Sequence, residues 1–110
     1  MFNDLPLRLS ALTNAVRTIK GTGGGLLNAY YLYNSDTNVI FIQFFDAAKT
    51  TDVTLGTTVP KWSIGIPGGQ AANVSRLKLQ FSDGIQVACT ATETGAGAPG
   101  APANANFGYR

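Results

Sequence analysis

Val39-Ile40-Phe41-Ile42-Gln43-Phe44-Phe45 is the stretch on which the reading of this chain turns. It is rich in β-branched and aromatic residues, so it reads as a strand. Asn34-Ser35-Asp36-Thr37-Asn38 precedes it and supplies turn chemistry, because Asn, Asp and Ser side chains bond their own backbone. The polar run from Asp46 to Gly56 follows it as a loop. The strand is apolar on both faces, and such a short continuous run implies cover on both sides. In a two-layer sandwich one side meets the opposite sheet. The other is expected to meet a neighbouring subunit or an overlying arm, with Val39 and Phe41 on the self-association face.

Working outward, Leu26 to Tyr33 is a second strand rich in β-formers, opened by Gly21-Thr22-Gly23-Gly24-Gly25. That glycine cluster reads as a turn, since no Lys-Ser or Lys-Thr pair opens a helix after it, as a phosphate loop requires. Asn14 to Lys20 forms a strand before the glycines. Thr57 to Ile66 carries Trp62, Ile64 and Ile66 in register, and Pro60 marks it as an edge strand. Pro67-Gly68-Gly69 is a turn. Asn73 to Phe81 alternates, with Leu77, Leu79 and Phe81 inward and Arg76, Lys78 and Gln80 outward. Ser82-Asp83-Gly84 holds an Asp-Gly hairpin signal before the strand Ile85 to Thr92. Short strands separated by regular turn signals, with no amphipathic helix, give an all-β fold: an antiparallel β-sandwich or jelly-roll barrel.

The chain ends are read as extended arms. In residues 1–12, Leu5, Leu7 and Leu9 alternate with Pro6 and Arg8, as an edge strand or N-terminal arm does. Residues 13–94 make the sandwich core. Residues 95–110 are dominated by Gly, Ala, Pro and Asn, with Phe107 and Tyr109 near the end. This segment is expected to be a C-terminal arm, with Phe107, Tyr109 and Arg110 as anchors on a neighbour.

Composition narrows the function. The chain has 110 residues, one domain's worth, and only 13% are charged. That is about half the usual share, which suits a surface packed against neighbours. Eight basic residues are scattered rather than gathered on one face, so a nucleic-acid partner is not expected. No apolar run approaches the roughly 18 residues that span a membrane. The start, Met1-Phe2-Asn3-Asp4, lacks the basic-then-apolar pattern of a signal peptide. There is no histidine, and Cys89 is the single cysteine. Nucleophile–histidine pairs, a thiolate zinc site and an internal disulfide are therefore ruled out. The acids fall mainly in turns. The expectation is a protein that is not an enzyme and needs no metal or cofactor. Tyr30, Tyr31, Tyr33 and Trp62 allow a sugar-binding platform, although core or interface packing is the preferred reading.

Three segments resemble a recurring type of small tailed-phage virion protein. They are GLLNAYYLYNSDTNVIFIQFFDAA (residues 25–48), VPKWSIGIPGG (59–69) and FSDGIQVACTAT (81–92). The resemblance implies a jelly-roll or β-sandwich protein of the virion, made in the host cytoplasm. Its implied role is capsid cement or decoration, binding the major capsid protein or other virion subunits as a homo-oligomer, with a trimer favoured. Alternatives are a tail, neck or fibre component, or a free carbohydrate-binding module. The resemblance implies no catalytic residues. Leu5, Leu7, Leu9, Val39, Phe41, Phe107, Tyr109 and Arg110 are the candidate partner-binding residues.

Overall fold

The computed structural model describes residues 4–110, so the first three positions of the expected N-terminal arm lie outside the described residues. Nine strands follow in order: β1 (Leu5–Leu12), β2 (Arg17–Lys20), β3 (Gly25–Tyr33), β4 (Ile40–Asp46), β5 (Trp62–Ile66), β6 (Ala71–Val74), β7 (Leu79–Phe81), β8 (Ile85–Thr90) and β9 (Ala103–Tyr109). A 3-10 turn at Thr50–Asp52 is the one helical element among the described residues. The front sheet has the order β1-β9-β3-β6, with β7 also pairing β3. The back sheet has the order β2-β8-β4-β5. All pairings are antiparallel. Each sheet interleaves strands from the two halves of the chain, which is the wrapping order of a jelly roll. The fold class is therefore the expected β-sandwich.

Between the sheets lies one core. Leu9, Leu12, Leu27, Leu32, Phe81 and Phe107 of the front sheet meet Ile19, Ile40, Ile42, Phe44, Ile66, Ile85, Val87 and Cys89 of the back sheet. Phe44 sits at its centre. It meets Phe107 edge-on, with centroids 5.9 Å apart, and stacks near Tyr30 at 6.2 Å. Both geometries suit the ring quadrupole.

The C-terminal arm is corrected. Residues 103–109 form β9, an interior strand between β1 and β3. The reason lies in Ala103-Asn104-Ala105-Asn106-Phe107, which is a period-two pattern with small residues on the core side. Ala103 and Ala105 are fully buried, whereas Asn104 and Asn106 occupy the alternate face. Residues 95–102 remain irregular and serve as the crossover from β8. The N-terminal segment is the edge strand of the two readings offered, paired to β9 from Leu5↔Tyr109 to Leu12↔Ala103.

The cover inferred for the second side of β4 comes from the chain itself. Ile40, Ile42 and Phe44 face the core. On the other side, Phe45 packs with Ala47, Val53 and Ala88, flanked by Val16 and Leu55. The β4–β5 loop thus folds back over the back sheet. Gln43 is fully buried beneath the loop after β8, donating to Thr90 Oγ1 at 2.6 Å and to the Gly95 carbonyl at 3.0 Å. Phe41 lies across β5, so close that a Cβ at Gly65 would come 2.9 Å from its ring. A companion subunit is not required to explain this strand.

Two local readings also change. Asn73 to Phe81 is not one strand. It breaks at residues 75–78, where Arg76 (φ 58°) and Lys78 (φ 54°) adopt left-handed backbone that non-glycine residues seldom take. Asn28 organises this break: its carbonyl accepts from Leu77 N–H at 2.8 Å and its Oδ1 from Lys78 N–H at 3.3 Å. Asp83-Gly84 does not make a hairpin, because β7 belongs to the front sheet and β8 to the back. The turn is a crossover between layers, held by Asp46. Its carboxylate accepts from the N–H groups of Ser82 (3.0 Å) and Asp83 (2.7 Å).

Candidate binding surfaces

With the core closed and the back sheet covered, two surfaces with exposed aromatic side chains stand out among the described residues. The first is the edge formed by β5. It ends the back sheet, so one side of its backbone lies outside the ladder. Trp62 opens the strand at 40% exposure, and Val59 just before it is 84% exposed. At the other end, exposed Val39 lies next to Ile40, the partner of Ile66. Trp62 pairs across from Phe44, on the core-facing side of β5. Burial raises the Tyr30 pKa, outweighing the opposing influence of the Trp62 indole.

The second surface is the outer face of the front sheet. Tyr30 points inward, whereas Tyr31 (47% exposed) and Tyr33 (38%) point out. Register places Asn106 and Asn73 on either side of Tyr31, and Asn104 and Ala71 on either side of Tyr33. Arg8 continues the Tyr31 row, and its guanidinium donates to Asn106 Oδ1 at 3.3 Å. Asn104 Oδ1 is buried without a hydrogen-bond partner.

The candidate residues chosen from sequence scatter over the fold. Phe107, 4% exposed, and Leu9 belong to the core, and Leu7 and Tyr109 pack against it. That corrects Phe107 as an external anchor: its position on the inward register of an interior strand commits it to the sandwich. Arg110 Nε donates to Asp4 Oδ1 at 2.8 Å, and its backbone pairs with Leu26, so it closes the chain end onto β3. Phe41 is half-buried over Gly65. Leu5 stays exposed on β1 of the front sheet, and Val39 stays exposed just before β4 of the back sheet. The aromatics of the suggested sugar platform separate: Trp62 sits on the back-sheet edge, Tyr31 and Tyr33 on the open front face. Sequence reasoning missed the flanking asparagines, although their alternation with alanine was the available signal.

The acids serve the loops. Burial acts to raise the Asp46 pKa, but three backbone N–H groups more than offset it and hold the carboxylate below its usual range. Asp36 is lowered mainly by the Asn38 N–H. Asp4 is lowered first by the Asn28 amide and then by Arg110. Asp46, Asp52 and Asp83 line an open groove of about 590 Å³ beside Thr22 and Thr58. Among the described residues no group of acids or cysteine is arranged to hold a metal ion. Desolvation pushes the Cys89 thiol up to about 12.

No family model matches the chain, and no curated protein matches it. Among solved structures it is similar to the one described as "Crystal structure of PirA", at 12% identity over 98% of this chain and 94% of that one, with a TM-score of 0.49. A likeness at that level carries no inference about function.

Proposed function

We propose that this chain is a non-enzymatic structural subunit of a tailed-phage virion. It acts as a capsid cement or decoration protein that stabilises the head by binding the major capsid protein or other virion subunits. The resemblance of the three segments supplies the setting. The observation that carries the docking role is the β5 edge, flanked by exposed Val59, Trp62 and Val39. An open strand edge offers backbone pairing to another chain. Exposed tryptophan beside it is the residue type most enriched among binding hot spots.

The other sheet edges are less suited. β1 carries Pro6, which has no N–H to offer, and β2 and β6 are only 4 residues long. The docking role therefore moves from the chain ends to β5, with Val39 retained from the sequence reading. Assembly of copies around a threefold axis remains part of the proposal.

The test uses phage particles stripped of this protein. The wild-type chain is expected to co-sediment with them and raise their thermal stability. The double variant Val59→Ser/Trp62→Ser is expected to bind about tenfold or more weakly, as loss of a hot spot does. Equal binding by the double variant, or no binding by the wild type, contradicts the proposal.

A further inference from the structure

We propose that the outer face of the front sheet is a binding site for a neutral oligosaccharide, centred on Tyr31 and Tyr33. The inference stands on the side-chain rows of that face and does not depend on the docking role of β5.

The geometry comes from strand register. Arg8, Asn106, Tyr31 and Asn73 stand directly opposite one another on β1, β9, β3 and β6. Three strand-to-strand steps of about 4.8 Å make a row about 14 Å long, the length of a short oligosaccharide. Tyr33, with Asn104 beside it, begins a second row one pleat further along β3. The face therefore presents two exposed phenol rings set among three amides.

The chemistry selects the ligand. A pyranose has apolar C–H faces that pack on an aromatic ring and hydroxyls that both donate and accept. Tyrosine supplies the ring at low entropy cost, and asparagine supplies an acceptor and two donors in one plane. Arg8 occupies Asn106 Oδ1, so the remaining capacity of that amide is largely as donor. Asn104 Oδ1 is a buried acceptor with no partner, which a small side-chain rotation would offer to a sugar hydroxyl. The face also lacks what other ligands need. Asp4, the carboxylate beside Gly108 and Ala29 at one end, is bound to Arg110 and Asn28. Arg8 is the one cation of the rows, and one of its N–H groups is engaged with the neutral Asn106 amide. A single guanidinium beside two rings and three amides favours a neutral ligand over a strongly anionic one, the sialylated probe below testing the alternative. Among the described residues a protein partner finds no cluster of exposed aliphatic side chains on this face.

Amide NMR titration of the labelled chain tests this, with maltotriose, cellotriose, chitotriose, xylotriose and mannotriose as neutral probes and sialyllactose as the anionic one. At millimolar concentration at least one neutral probe is expected to shift signals of Tyr31, Tyr33, Asn73, Asn104 and Asn106, and not those of the back sheet. Tyr31→Ala is expected to weaken that binding about tenfold or more, with Tyr31→Phe retaining most of it. Asn73→Ala, an exposed change on the edge strand, reads the same row should Tyr31→Ala disturb the fold. The inference is overturned if no neutral probe shifts this face, if sialyllactose binds more tightly than all of them, or if Tyr31→Ala and Asn73→Ala bind like the wild type. Particle association of the tyrosine variant is expected to be unchanged, so the two proposals fail separately.

Discussion

Phe107 shows how one side chain changes the account. It packs edge-on against Phe44 at the centre of the core. Phe107→Ala is expected to cost about 3–5 kcal/mol, as large-to-small core changes do. Its thermal midpoint should fall by roughly 4–8 °C for each kcal/mol; calorimetry reads the drop. An external anchor would leave the midpoint unchanged. Cys89 is fully buried with its thiol pushed up to about 12, so a thiol reagent at mildly alkaline pH should label it only after denaturant is added. Sequence placed this cysteine correctly on the apolar side of its strand, because Ile85, Val87 and Cys89 alternate without ambiguity. The acids give the pH dependence. Asp4, Asp36 and Asp46 have folded pKa values below their unfolded ones. Their contribution is thus full above the unfolded value, about 4, and is lost as pH falls through the folded values. Midpoints measured from neutral pH downward should decline below about pH 4. Asp46→Asn should flatten part of that decline, since it removes the charge that accepts the crossover's N–H groups.

At the scale of elements, β9 is the strand on which the front sheet depends. It pairs with both β1 and β3. Deleting residues 103–110 strips β1 of its partner and opens the core at Ala103, Ala105 and Phe107. The truncated chain is expected to lose its cooperative unfolding transition, monitored by circular dichroism; a stable folded product would show that the segment is an appendage. The strand was hard to see in sequence because its core side is alanine, a weak apolar signal in a Gly/Ala/Pro context. By contrast β4 and β8 were legible from dense β-branched and aromatic residues. The break between β6 and β7 was hidden because Leu77, Leu79 and Phe81 keep an alternating pattern while Asn28 takes the backbone bonds at residues 77 and 78. Asn28→Ala keeps the main-chain carbonyl that Leu77 bonds but removes the side-chain bonds to Lys78 N–H and to Asp4, and should lower stability by about 1–3 kcal/mol in denaturant titration, the cost of buried polar groups left unpaired.

At the scale of the molecule, the sequence reading correctly called for two covered faces on β4 but assigned the second cover to a neighbouring subunit or an overlying arm. The loop between β4 and β5 and the crossover after β8 provide it. A periodicity argument specifies that a face is covered and not what covers it, so the pattern of β4 was silent on assembly. The open surfaces followed only from topology, which sets β5 at an edge and leaves Tyr31 and Tyr33 without an overlying layer. The two proposals put their roles on two sides of the body: a strand edge for attachment and a sheet face for contact with sugar. Cryo-electron microscopy of the assembled phage particle tests the central proposal most directly. The expected map places this jelly roll on the particle with β5 and Trp62 against a neighbouring subunit and the Tyr31–Tyr33 face toward solvent. A particle without this chain, or one holding it with β5 facing open solvent, contradicts the account.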